Sequence, residues 1–231
     1  MVATTVLHGC DQSGATTERP SNAPDGFCFF DTTLNKPVFR DNVNSVWVDS
    51  LGGSVASASA VTILPTAWRT WDALAVNLPG TGANDDLALV TGTPGTDGPT
   101  IQSADPGGTS VTAKAGLLFA MPDGYVAGTP VTLRLHAGVL TSVADDSCTL
   151  DVSAYEITEA GAAGDDLCTT DAQDMNSTTF ADLDFTITPT GLVAGDLLSI
   201  VITIAAVDAG NAAAIVPEIS KASVLYNVAA A

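Results

Sequence analysis

Basic residues are scarce in this sequence of 231 residues, which has seven lysines and arginines against 26 aspartates and glutamates. The formal net charge is −19. Such a surface repels a phosphate backbone, which argues against nucleic-acid binding. The acidity is compatible with a solvated surface at high local concentration, with salty surroundings, or with docking on a basic partner.

Aromatic residues are also scarce, and long apolar runs are missing. Aromatics make up 6% of the chain and hydrophobic residues 46%, so any core must consist of Val, Leu, Ile and Ala. No apolar run approaches the roughly 20 residues of a membrane span. The early segment VLHGC lacks the charged and apolar regions of a leader peptide. We therefore expect a protein that is synthesised in the cytoplasm and has no membrane segment.

Groups that could bind a metal or a cofactor are few and widely spaced. The two histidines are His8 and His136, and the cysteines show no CxxC spacing (Cys10, Cys28, Cys148 and Cys168). These spacings argue against a zinc site, and we expect neither a metal nor a cofactor. Four cysteines permit three pairings, of which the local one (Cys10 with Cys28, Cys148 with Cys168) is the most natural. Four unpaired cysteines that act as small buried hydrophobes are slightly preferred.

The sequence shows no catalytic constellation. A Ser-His-acid triad would need His136 or His8. His136 lies beside Arg134 on the polar side of a predicted strand, where a bond to an acidic neighbour or an interface role is favoured over general-base chemistry. The paired aspartates fall in turn-like sequence, where Asp bonds to its own backbone. We expect no catalytic residue and no enzymatic activity.

Alternating hydrophobicity predicts an all-β fold. In the segment Gly128–Val139, Val131, Leu133 and Leu135 point one way while Arg134 and His136 point the other. No segment of useful length has a helical period. Further strands are predicted at Leu74–Leu78, Asp86–Val90, near Ile101, and at Val111–Met121, Thr149–Ile157, Leu167–Thr169, Leu183–Thr188, Leu197–Val207 and Ser223–Val228. Strands at this spacing predict a jelly-roll-like antiparallel β-sandwich over residues 61–231.

Residues 1–60 are predicted to form a separate N-terminal part. Residues 1–26 are polar and indicate an extended arm or flexible lead-in. Residues 25–52 alternate short aromatic strands with turns and indicate a small β-meander, and residues 50–64 a Ser/Ala/Gly-rich linker. Such a meander is too small to be stable alone, so we expect exposed aromatics that a partner covers.

The run FDTTLNKP (residues 30–37) followed by WVD (residues 47–49) resembles a motif of tailed-bacteriophage structural proteins. The family run typically reads FDTTLNKPIWWNG and then WVDA. This chain has Val38-Phe39-Arg40 where the paired Trp usually lies, and Asp41-Asn42 in place of the Asn-Gly turn. The resemblance covers roughly residues 25–52.

The resemblance implies a virion protein on the capsid surface or in a tail appendage. In the family the motif connects trimeric assemblies, which implies a homotrimer that binds the major capsid protein. Its anchor or oligomer interface would be aromatic (Phe27, Phe29, Phe30, Phe39 and Trp47). The alternative is a tail-fibre or receptor-binding module, with tail proteins or host glycan as partners. There Trp68 and Trp71 would stack on sugar, although such residues more often cap a core or contact a subunit.

Overall fold

The computed structural model describes residues 10, 12–24, 26–33, 36–41, 46–48, 56–82, 85–140, 147–158, 160–208 and 214–229. These residues form fifteen β-strands and two short 3-10 turns, with no α-helix among them. The all-β prediction is therefore confirmed. Within the same ranges, no helix has the length and hydropathy needed to cross a membrane. The chain divides into two compact units, Met1–Ala58 with Val228–Ala231, and Ser59–Asn227.

The first unit is a four-stranded sheet. Its strands, in the order β1-β2-β3-β4, are β1 (Gln12–Gly14), β2 (Cys28–Asp31), β3 (Lys36–Asp41) and β4 (Val46–Val48). The last three form the antiparallel meander that the sequence predicts. β1 adds to it in parallel, with Gln12 opposite Phe29. Residues 12–14 therefore belong to a sheet, although the sequence indicated only an arm or lead-in there.

The second unit contains two sheets. The five-stranded sheet comprises β8 (Ser110–Ala120), β10 (Ser147–Ile157), β11 (Ala163–Asp166), β12 (Gln173–Asp174) and β14 (Leu197–Val207). The order of the strands across the sheet is β11-β10-β14-β8, and β12 pairs with β10. The six-stranded sheet has the order β13-β9-β15-β7-β6, with β5 beside β15. It comprises β5 (Ala56–Ile63), β6 (Ala88–Val90), β7 (Thr100–Gln102), β9 (Val131–Val139), β13 (Ala181–Ile187) and β15 (Pro217–Ala229).

The inner faces of these sheets supply the core of a jelly-roll-like antiparallel sandwich. Alternate residues of β9 are buried, as predicted, and Val131, Leu133 and Leu135 have no exposed surface. On β14, Ile202 is opposite Ala115 on β8 and Val152 on β10, and it is also fully buried. Because Leu197–Val207 is apolar on both faces, its sequence predicts that the opposite side of β14 is covered as well. Its side chains are only half-buried, because that side faces solvent.

Several local predictions differ from the structure. Leu74–Leu78 is not a strand, because the backbone turns tightly: the Thr70 amide donates to the Val76 carbonyl at 3.1 Å, and the Thr70 hydroxyl to the Ala73 carbonyl at 2.8 Å. Residues 56–63, predicted as linker, form β5, which pairs with β15. The sequence of residues 161–165 is typical of a turn, but part of it belongs to β11. Leu167–Thr169 contributes only an isolated bridge between Cys168 and Ile187.

Candidate functional site

Asp31, the acid of the FDTTLNKP run, organises the first unit. Its side chain is fully buried, and Oδ2 accepts hydrogen bonds from the Thr16 hydroxyl and the Arg19 Nε, each at 2.7 Å. Its Oδ1 accepts a bond from the Thr33 amide at 2.8 Å. Because a buried carboxylate needs such partners, Asp31 ties the segment around residues 16–19 to the meander. The Asp and second Thr of the run therefore have a structural role.

Aromatic packing completes this small unit. Phe29 and Val38 form its buried cluster, and Phe27 and Trp47 pack against them. The Phe29 and Trp47 ring centroids lie 5.9 Å apart in an edge-to-face arrangement. The expectation that Phe29 is exposed is therefore wrong, and Phe30 is buried as well.

Three aromatic side chains of the first unit keep some exposed surface. They are half-buried: Phe27, Phe39 and Trp47. The proposed contact with a partner stays a prediction for these three residues, because they have surface left to bury.

One disulfide closes the first unit. Cys10 and Cys28 are bonded, with their Cα atoms 4.8 Å apart. The preference for four unpaired cysteines is therefore wrong for these two, and the local pairing is correct for them. Cys148 and Cys168 are free thiols. Burial, with a smaller contribution from Asp174, raises the pKa of Cys148 to about 12, so this thiol is unreactive as well as unpaired.

The structure separates the two tryptophans that were considered as one sugar-binding platform. Trp68 is only 1% exposed and lines a small apolar cavity with Ile101 and Ile219. Its indole N–H is buried and, within the described part of the chain, has no hydrogen-bond partner. Trp68 therefore belongs to the core, and a joint platform of Trp68 and Trp71 is excluded.

Trp71 lies in a turn that packs over the five-stranded sheet. Its indole Nε1 donates to Asp85 Oδ2 at 2.9 Å, and the Lys114 Nζ lies 4.3 Å from the ring centroid. The turn reaches the sheet at Gly116 on β8, where a Cβ would collide with the Leu74 side chain and lie 3.3 Å from the Trp71 Cα. Glycine at 116 therefore allows this approach. We call residues 70–76 the Trp71 turn.

A group of acids surrounds Trp71. Burial raises the pKa of Asp86, and the charges of Asp72 and Asp85 raise it further, while a bond from the Trp71 backbone N–H lowers it. Asp86 Oδ1 is buried and has no hydrogen-bond partner among the residues that the structure describes. Within the described ranges, no group of three or more His, Cys, Asp or Glu residues is arranged to hold a metal ion.

The solvent-facing side of β8, β14 and β10, which we call the outer face, lies beside the Trp71 turn. The strand register aligns its side chains in rows: Ala120, Leu197 and Ile157; then Leu118, Ser199 and Tyr155; then Gly116, Val201 and Ser153; then Lys114, Thr203 and Asp151. Sequence reasoning missed Tyr155. The apolar positions Leu150, Val152 and Ala154 of β10 indicate its position, because side chains alternate between the two faces of a strand and Tyr155 therefore lies on the outer face.

His136 lies on the solvent side of the other sheet, between β13 and β15. Its Nδ1 is 2.7 Å from Asp182 Oδ1, as the sequence hypothesis of an acidic neighbour implies. Next to it, Arg134 binds Asp184 through two hydrogen bonds of 2.7 Å. This contact raises the pKa of Arg134 and lowers that of Asp184. The Arg134 and Asp184 side chains are 40% and 44% exposed, so solvent screens this pair and it adds little to stability.

No protein-family model matches this chain, and no curated protein matches it. Among solved structures, it is similar to the xylan-binding module CBM15, with 14% identity, a TM-score of 0.41, and coverage of 74% of this chain and 97% of that one. The CBM22-1 xylan-binding domain of Paenibacillus barcinonensis Xyn10C has 11% identity and a TM-score of 0.36, with coverage of 76% and 100%.

An arabinose-bound MgGH51 α-L-arabinofuranosidase is similar over 70% of this chain, with 15% identity and a TM-score of 0.38. This chain spans 23% of the length of that enzyme, and 46% of a CBM22 tandem domain that it also resembles. These similarities concern the β-sandwich architecture and assign no ligand to this chain.

Proposed function

We propose that this protein is a non-catalytic structural component of a tailed-bacteriophage particle and lies on the capsid surface. The first unit binds the major capsid protein, and the sandwich is displayed. The observation that carries the proposal is that the residues resembling the phage motif fold within a compact unit of their own. In that unit Asp31, Arg19 and Thr16 connect the motif to the N-terminal segment. A compact unit of this kind can serve as an anchor without altering the sandwich.

The disulfide between Cys10 and Cys28 supports a role outside the reducing cytoplasm. Disulfides persist in oxidising surroundings, such as those a particle meets after release from its host, and are rare in cytosolic proteins. A disulfide also stabilises a unit whose own core is small.

The protein acts as a homotrimer in this proposal. Phe27, Phe39 and Trp47 keep exposed surface in the first unit, and neighbouring subunits cover it. Sedimentation equilibrium at micromolar concentration should give three times the chain mass of 23.3 kDa. A mass of one chain at the same concentration contradicts the trimer but leaves the capsid location standing.

The test of function compares complete particles with particles that lack this protein. A subunit that binds only the assembled lattice stabilises it by mass action, so particles without the protein should release their DNA at a lower temperature. Adding back the full chain should restore the release temperature. Equal release temperatures, together with loss of attachment to host cells, would overturn the capsid proposal.

A further inference from the structure

Most of the outer face carries no charged side chain, whereas the chain as a whole is strongly acidic. Three adjoining rows, from Ala120–Leu197–Ile157 to Gly116–Val201–Ser153, contain no charged side chain. Leu118, in the middle row, is 48% exposed. Charges appear at its margins: Lys114 and Asp151 have opposite signs in the next row, and Asp166 on β11 pairs with Tyr155. The chain has a net charge of −19, so a patch with few charged side chains is unusual on its surface, and such a patch favours a neutral ligand over an ionic one.

The Trp71 turn limits what can lie on this face. It rises from the sheet at Gly116, with the Leu74 side chain over the backbone of β8. Val76, on the same turn, is 53% exposed. A broad, flat partner, such as the same face of a second copy, would meet this turn before it reached the strands. A narrow chain can lie along β14 and β10 beside the turn.

Two aromatic rings border the path of such a chain. Tyr155 lies on β10, and the Trp71 backbone packs on β8 at Gly116. Because β14 lies between β8 and β10, these two strands are two strand spacings, about 10 Å, apart. The Trp71 ring is already held by Asp85 at its edge and by Lys114 on one face. A ring fixed in advance loses little freedom on binding, and a ligand can stack on the face opposite Lys114.

The polar side chains between the rings suit a hydroxyl-rich ligand. Ser199 lies between Leu118 and Tyr155, Ser153 lies in the next row, and Thr203 lies one row further along β14, between Lys114 and Asp151. A sugar ring has an apolar C–H face that stacks on an aromatic ring, and a rim of hydroxyls that exchange hydrogen bonds with serine and threonine. The acids around Trp71 (Asp72, Asp85 and Asp86) disfavour an anionic sugar.

We infer that the outer face is a binding site for a neutral glycan chain, on which Trp71 and Tyr155 stack and which Ser153, Ser199 and Thr203 hydrogen-bond. This inference goes beyond the capsid role proposed above and does not rest on it. A capsid-surface protein and a tail protein could each carry such a site, and the test below uses no particle.

The experiment is affinity electrophoresis of the full chain in gels that contain one polysaccharide each: xylan, β-1,4-galactan, hydroxyethylcellulose or dextran. Heparin is the anionic control. We expect at least one neutral polysaccharide to retard the wild-type protein, and heparin not to do so. Trp71→Ala and Tyr155→Ala should each weaken that retardation at least tenfold. Phe180→Ala, which removes a half-buried aromatic near His136 on the other sheet, should leave it unchanged.

Circular dichroism of each variant verifies folding, and Ser199→Ala provides a milder change at the centre of the face. Retardation by none of the four neutral polysaccharides overturns the inference. Retardation that survives in both Trp71→Ala and Tyr155→Ala overturns it as well. If the wild-type protein forms a dimer that Leu118→Asp dissociates, and no polysaccharide retards the protein, the outer face binds a second copy of the chain and not a glycan. Loss of glycan binding would leave the thermal-release result untouched, so the two proposals fail separately.

Discussion

At the scale of single residues, the account depends on which side chains are buried and what they contact. Ile202 is the clearest case, because it lies in the middle of β14, is fully buried, and faces neighbours on both adjacent strands. Large-to-small changes in such a position remove buried surface and leave a cavity.

We therefore expect Ile202→Ala to lower the free energy of unfolding by about 2–5 kcal/mol. Thr186→Ala, at an exposed position of β13, should change it by less than about 0.5 kcal/mol. Urea titrations followed by circular dichroism measure both values. Similar small losses in the two variants would show that the register of β14 is wrong.

Asp86 provides a pH-dependent prediction. Its pKa is raised in the folded protein, so the native state binds this proton more tightly than the unfolded chain does. The charged carboxylate therefore destabilises the fold above its folded pKa, and the penalty disappears as the pH falls through that pKa toward the ordinary aspartate pKa of 3.8.

Asp86→Asn should accordingly raise stability at pH 7, by less than about 1 kcal/mol because the site is partly exposed. The advantage over the wild-type protein should vanish below pH 3.8. Asp123→Asn, in an exposed turn, controls for the change in net charge. Thermal melts at several pH values provide the comparison, and a gain in Asp86→Asn that is the same at every pH would refute the explanation.

At the scale of elements, strands with clear alternation were predictable and the short or edge elements were not. β9, β10 and β14 have apolar residues at every second position, and the sequence placed their ends within three residues. β5 was mistaken for a linker, because alanine and serine carry little strand preference and its hydrogen bonds come from the distant β15. The Trp71 turn was mistaken for a strand, because Leu74, Val76 and Leu78 alternate by coincidence.

The candidate sites were less predictable than the strands. Asp31 and its partner Arg19 are twelve residues apart, and their contact follows from the addition of β1 to the meander. The outer face joins side chains from three strands that are distant in sequence, so only the register brings Leu118 and Tyr155 into one row. Trp68 and Trp71, by contrast, are neighbours in sequence but have different surroundings.

Gly116 allows a test of how the Trp71 turn is positioned. In Gly116→Ala the new methyl group would meet the Leu74 side chain and the Trp71 backbone, so the turn must move. We expect a loss of about 1–3 kcal/mol, as in overpacked sites. Gly164→Ala, on the exposed strand β11, should be nearly neutral, since its Cβ would lie 3.6 Å from the nearest atom, the Glu156 carbonyl. Urea titrations with tryptophan fluorescence measure both, and equal stability in the two variants would mean that the turn does not pack on β8.

At the scale of the whole molecule, the division into two compact units predicts that the units can be separated. A chain that lacks residues 1–55 keeps all of β5 and the sandwich, so we expect it to remain folded with native β-sheet circular dichroism. It should not bind particles from which the protein has been removed, whereas the full chain binds them saturably. Saturable binding by the shortened chain would place the anchor in the sandwich.

The central claim is that this protein lies on the capsid surface, and its location can be measured directly. The measurement is electron microscopy of intact virions with gold-labelled antibodies raised against residues 59–227, with particles lacking the protein as the control. We predict label distributed over the head. Label confined to the tail or its tip, or equal labelling of complete and deficient particles, would contradict the account.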